Sequence, residues 1–156
     1  MKTIYLGLGS NLGDRQQNLL LALAALEPEV TIQKTSFTCE TDAMYNVGQP
    51  KFLNVVCEAV TQLPPFGVLR KIKKIEMAMG RHAHNEPRVI DIDLLFYGNE
   101  IMETQELKVP HPSIAERAFV LVPMADIAPR FTHPILHCTI AELRDRLGVV
   151  SGIQKI

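Results

Sequence analysis

Arg88-Val89-Ile90-Asp91-Ile92-Asp93-Leu94-Leu95-Phe96 is a β-branched run with two acids at its heart. Side chains alternate across a strand, so Asp91 and Asp93 share one face about 7 Å apart, while Ile90, Ile92 and Leu94 turn toward a core. Acids are depleted in strands and costly to bury. Two on one face, with Arg88 three residues before the first, suit a divalent cation and the phosphate that it binds. Carboxylates hold a hard ion such as Mg2+, and the guanidinium holds the anion. An edge strand with a solvated outer face is the ordinary alternative for these residues taken alone.

Working outward, Ile4, Leu6 and Leu8 alternate with Tyr5 and Gly7 as a first strand. Gly9-Ser10-Asn11-Leu12-Gly13-Asp14 ends it and caps a helix through Leu19, Leu20, Leu23 and Leu26, which stops near Pro28. Val30 to Thr38 predicts a second strand, and Glu40 to Pro50 an irregular polar stretch. Leu53, Val55, Cys57 and Ala59 mark a third strand. Pro64-Pro65 opens a second helix carrying Phe66, Leu69, Ile72, Ile75 and Met79, with Gly80 as its stop. After the acidic strand come a Gly98-Asn99 turn, a short return, a Val109-Pro110-His111-Pro112 loop and a short helix over Phe119 to Ala125. Thr139-x-x-Glu142 is a capping box for a last helix ending before Gly148. The order predicts an α+β domain over residues 1–156: a ferredoxin-like β-α-β-β-α-β core with C-terminal additions and a mostly antiparallel sheet. Two helices should cover one sheet face and leave the other to loops that build a site.

Composition narrows the function. Sixteen basic and seventeen acidic residues give a net charge of −1, which is no footprint for bulk nucleic-acid binding. Cys39, Cys57 and Cys138 form no Cys-x-x-Cys pair, and reduced thiols in a cytoplasmic protein are expected. The apolar stretch before Gly9 is too short for a signal peptide or a membrane span. No nucleic-acid and no membrane partner is therefore expected, and the expected state is a monomer.

Other motifs are weaker. The glycines at 7, 9 and 13 miss the G-x-G-x-x-G spacing by one, and a turn with a helix cap explains them better. His82, His84 and Glu86, or His133, His137 and Cys138, could be read as metal sites, but neither set is complete, and exposed loop histidines are the ordinary reading. Arg81 follows a helix stop, Arg88 starts the acidic strand, His111 lies in a Pro-flanked loop and Arg117 precedes Phe119; loops beside a sheet end are where binding groups gather. Phe52 and Phe119 are core residues by default. The functional alternative is an aromatic slot for a flat heterocycle whose edge Asn54 reads.

Gly9-Ser10-Asn11-Leu12-Gly13-Asp14, Phe52-Leu53-Asn54, Gly80-Arg81, Pro87-Arg88-x-x-Asp91-x-Asp93, Pro110-His111-Pro112 and Glu116-Arg117-x-Phe119-x-Leu121-x-Pro123 occur in order. Together they resemble the 6-hydroxymethyl-7,8-dihydropterin pyrophosphokinases of folate synthesis across residues 3 to 130. The resemblance implies transfer of diphosphate from ATP to the pterin hydroxymethyl group, releasing AMP. It implies that Asp91 and Asp93 hold two Mg2+ ions and that Arg81, Arg88, His111 and Arg117 neutralise phosphate charge. Glu76, Leu94 and Lys108 then match nucleotide-side positions, and Thr41, Met44, Phe52, Asn54 and Phe119 the pterin pocket. The family pattern has glycine where Glu86 stands, and the 82–86 loop is short and lacks the tryptophan and second arginine of related enzymes. His82 and His84 are expected to supply part of its positive charge, fading as pH rises through about 6.5.

Overall fold

The computed structural model describes residues 1–42, 48–80 and 89–156. Along the chain the elements are β1 (Lys2–Ser10), α1 (Arg15–Leu26), β2 (Val30–Thr35), β3 (Cys39–Thr41), β4 (Phe52–Thr61) and α2 (Pro65–Ala78). Then come β5 (Asp91–Tyr97), β6 (Met102–Glu103), β7 (Lys108–Val109), α3 (Ala118–Ile127), α4 (Ile140–Arg146) and β8 (Ile153–Lys155). The main sheet runs β5-β1-β4-β3-β8, with β2 also on β4, and its pairings are antiparallel. Counting β2 and β3 as one interrupted strand, this is the expected β-α-β-β-α-β core.

The interruption corrects two boundaries. The second strand stops at Thr35 rather than Thr38, and the stretch expected to be irregular from Glu40 begins as strand β3. Ser36 explains the break. Its N–H donates to Val56 O at 2.8 Å and its Oγ accepts from Val56 N at 2.9 Å, so a side chain takes a place in the ladder.

Helix ends follow local chemistry. Asp14 accepts from Gln17 N at 3.1 Å to start α1, Pro65 opens α2, and Thr139 and Glu142 complete the capping box of α4. From Leu19 to Leu26 α1 is apolar all round, so periodicity alone leaves its inner face undecided. Burial of a leucine is worth about 1.5–3 kcal/mol, and the chain spends that on Leu19 and Leu26, with Ala22 between, leaving Leu20 and Leu21 exposed. These pack with Val68, Ile72 and Ile75 of α2 over Ile4, Leu6, Leu8, Val55, Cys57, Ile92 and Leu94.

The second face is not left to loops alone. Tyr5, Val56, Leu95 and Phe96 pack under Val120, Leu121 and Met124 of α3 and Ile140 and Leu143 of α4. A bulge makes this possible: Leu94 faces Leu6 and Phe96 faces Tyr5, so Leu95 is an extra residue. Leu95 and Phe96 thus both serve the α3 side, and Tyr97 returns to the helix-side core, which strict alternation does not predict. The opposite end of that face carries Gly7, Gly9, Asn54, Asp91 and Asp93.

Candidate active site

β5 begins at Asp91, so the acidic strand starts three residues later than expected from Arg88 and extends through Tyr97. Asp91 faces Gly9 and Asp93 faces Gly7 across β1, and beyond them stand Asn54 and Val56 of β4. The two glycines leave a low floor between the carboxylates and Asn54. A Cβ on Gly9 would lie 2.7 Å from Asn54 Oδ1 and 3.3 Å from Phe52 Cδ1, so only glycine lets both side chains fold over β1. Gly9 and Ser10 are strand residues, which corrects their reading as a turn; the turn is made at Gly13, with φ 74°. Two strand spacings put Asp91 and Asn54 about 10 Å apart at Cα.

Above this floor, Arg117 caps α3 and reaches Asp93, with Nη1 3.9 Å from Oδ2. Its Cζ stands 5.4 Å from the Phe119 ring centroid. Its Nε is buried without a hydrogen-bond partner among the described residues. An unsatisfied buried guanidinium N–H is costly, and an anionic ligand would relieve it.

His111 is fixed by its main-chain N–H, which donates to Leu95 O at 3.0 Å, and by Nδ1, which accepts from Ser113 N at 3.3 Å. With Nδ1 accepting, the proton sits on Nε2. Burial, with the nearby Arg117 charge and against the pull of Asp91, lowers its pKa to about 4. His111 is therefore a neutral donor near pH 7 in the unliganded protein. The folded pKa lies below the ordinary 6.5, so the unfolded chain binds this proton first as pH falls. Stability from neutral His111 is full above about 6.5 and drains as pH falls toward about 4. His111→Asn keeps an acceptor for Ser113 N and removes the titration. Its melting temperature should fall less steeply than that of wild type between pH 6.5 and 4. Equal slopes would show that His111 titrates in its ordinary range.

Four of the residues expected on the pterin side, Thr41, Phe52, Asn54 and Phe119, are described. Asn54 Nδ2 donates to Thr41 Oγ1 at 2.7 Å, both residues are buried, and Thr41 pairs with the half-buried Phe52. Phe119 is half-buried on α3 beside Arg117. Glu76 lies elsewhere: it is buried on α2, and its Oε2 accepts from Ile92 N at 2.9 Å, on the outer edge of β5. Leu94 is buried in the helix-side core, so its side chain faces away from Asp91 and Asp93. Strand alternation puts its main-chain N–H and C=O on the same outer edge as those of Ile92. Lys108 is exposed on β7. Met44, Arg81, Arg88 and the His82–Glu86 loop, with the expectation for His82 and His84, lie outside the described residues.

The other histidine set is structural. His133 is buried, which corrects its reading as exposed, and its Nδ1 accepts from Ile135 N and Leu136 N, each at 3.1 Å. Cys138 Sγ donates to Leu136 O. No group of three metal donors occurs among the described residues. Burial pushes the thiols of Cys39 and Cys57 up to about 11 and about 12, so both stay protonated and inert.

Sequence reasoning passed over Asn11, Arg15 and Glu40. Asn11 is buried, and its Nδ2 donates to Gln49 Oε1 and Pro50 O, each at 3.1 Å. Arg15 joins Glu40 at 2.9 Å and donates to Lys51 O at 2.9 Å. The only signal was an asparagine in a Gly-Ser-Asn run, and its partners lie 38 and 39 residues away.

Two carboxylates, with no third in a metal-holding group among the described residues, fit Mg2+, which takes one or two of them and completes its shell with phosphate oxygens and water. Residues 5–129 match the family described as 7,8-dihydro-6-hydroxymethylpterin-pyrophosphokinase (HPPK). The chain belongs to this family. It is 43% identical over 146 residues to the 2-amino-4-hydroxy-6-hydroxymethyldihydropteridine pyrophosphokinase of Aquifex aeolicus, covering 92% of this chain and 91% of that one. It is 46% identical over 155 residues to the folic acid synthesis protein FOL1 of Dictyostelium discoideum, covering 98% of this chain but 24% of that protein. The chain thus spans about a quarter of that relative. The HPPK fold recurs in a solved Plasmodium falciparum HPPK-DHPS, with TM-score 0.80 at 17% identity over 99% of this chain and 46% of that one. No helix among the described residues is long and apolar enough to cross a membrane.

Proposed function

We propose that this chain is the diphosphotransferase of folate synthesis that its family membership indicates: ATP gives its β,γ-diphosphate to the hydroxymethyl oxygen of 6-hydroxymethyl-7,8-dihydropterin. The new O–P bond forms at the β-phosphorus. The bond from that phosphorus to the α,β-bridging oxygen breaks, AMP leaves, and the hydroxyl proton is lost. One observation carries the reading: Asp93 faces the Arg117 guanidinium at 3.9 Å, the buried Nε of that group lacks a partner among the described residues, and Asp91 shares the same strand face, one glycine away from Asn54.

Asp91 and Asp93 would hold two Mg2+ ions, which when bound neutralise the triphosphate and orient it for in-line displacement. Arg117 offers Nε to a phosphate oxygen and His111 offers its neutral Nε2–H. A phosphate beside His111 would raise its pKa and strengthen that bond. Arg81 and Arg88 add positive charge. Asn54, held by Thr41, reads the heterocycle edge, Phe52 and Phe119 flank its plane, and Met44 completes the slot. Glu76, the main chain of Leu94 at the β5 edge and Lys108 form the nucleotide side. Three buried free cysteines suit a reducing compartment, so the reading includes a cytoplasmic location. It also takes the chain as a monomeric, single catalytic domain acting on small molecules.

With ATP, Mg2+ and the reduced hydroxymethylpterin, AMP should appear in step with a diphosphorylated pterin. ADP as the nucleotide product would overturn the reaction assignment, and binding of both substrates with no product would mark an idle homologue.

A further inference from the structure

β3 has only three residues, and a strand that short is weakly held by one neighbour. β8 gives it a second. Cys39 pairs with Lys155, Glu40 with Gln154 and Thr41 with Ile153. The clamp extends past both ends: Ile156 N donates to Thr38 O at 2.9 Å and Asp42 N donates to Gly152 O at 3.3 Å. Lys155 Nζ also sits 4.6 Å from the centroid of the Phe37 ring. Gly152 makes the turn into this ladder with φ 77°, and a Cβ there would stand 2.8 Å from Asp42 Oδ2. The matched family region ends at residue 129, so β8 lies outside it.

The chain of contact runs onward to the binding slot. Thr41 Oγ1 accepts from Asn54 Nδ2, so the place of Thr41 sets the orientation of the Asn54 amide. We propose that β8 is a positioning element for pterin recognition: by pairing with β3 it holds Thr41, and through Thr41 it presets the Asn54 amide before the substrate arrives. The inference rests on the assignment of Thr41 and Asn54 to the pterin slot. Preset groups spare the ligand the entropy of ordering them, so the benefit appears in pterin affinity and not in nucleotide affinity.

Pairing alternates, and the bonds at 38/156 and 42/152 put the Gln154 N–H on Glu40 O. Gln154→Pro removes that donor while its side chain is exposed, and Gln154→Val keeps it. Calorimetry would compare both variants with the wild-type chain, using the reduced hydroxymethylpterin and a Mg-bound non-hydrolysable ATP analogue separately. Gln154→Pro should weaken pterin binding about tenfold and leave the nucleotide within about twofold, with Gln154→Val like wild type. Gly152→Ala should act in the same direction, and it carries the test if Gln154→Pro melts below the assay temperature. Unchanged pterin affinity, or equal losses for both ligands, would overturn the proposal. Asn54→Ala separates the two claims: it should weaken pterin alone, and if it does not, the slot assignment fails rather than the ladder.

Discussion

Asp91→Asn or Asp93→Asn should lower turnover by about a thousandfold, the several kcal/mol that metal-held charge stabilisation supplies to phosphoryl transfer. The asparagine keeps the shape of the side chain but loses the full negative charge that a hard cation needs. Folding should be little affected. Both residues lie on a half-buried face opposite glycines, and the β5 ladder is made by main chain. The melting temperature should move by less than about 5 °C. Asp93→Asn also removes the charge that Arg117 faces at 3.9 Å, so its melt should shift more than that of Asp91→Asn. Single-turnover assays and thermal melts on the same samples decide the point. Near-normal activity in either variant would speak against a two-metal site here.

Arg117→Met should cut kcat/KM by about a hundredfold or more while leaving the unliganded protein as stable as wild type, or slightly more so. The buried Nε is unsatisfied among the described residues, so the folded state bears a cost of about 1–3 kcal/mol that an apolar side chain of similar length removes. Its compensation, an ion pair at 3.9 Å and a ring contact with Phe119, is weak. Arg117→Lys should recover little activity, because an ammonium cannot present a planar fork to phosphate. A large fall in melting temperature for Arg117→Met would instead mark Arg117 as a structural cap of α3.

The acid pair, the helix caps and the strand order were legible because each depends on neighbours within a few residues. Asp91 and Asp93 advertise themselves by standing where strands rarely place charge. Thr139 and Glu142, and Asp14 with Gln17, are local hydrogen-bonding units that read the same in a peptide as in the fold. The interruption at Ser36 was hidden because it depends on Val56, twenty residues on. The role of Gly9 was hidden because it is set by side chains on another strand, Asn54 and Phe52.

The α+β class, the β-α-β-β-α-β order and the family follow from periodicity and ordered local motifs. How far each group can act depends on tertiary packing. The bulge at Leu95 turned two consecutive residues to one face and made room for α3. Burial beside Arg117 set His111 as a neutral donor rather than a cation. Pairing with β8 decided which neighbours hold Thr41, and so Asn54. Desolvation, register and approach between distant strands are sums over the whole packed chain, and no local pattern encodes such a sum.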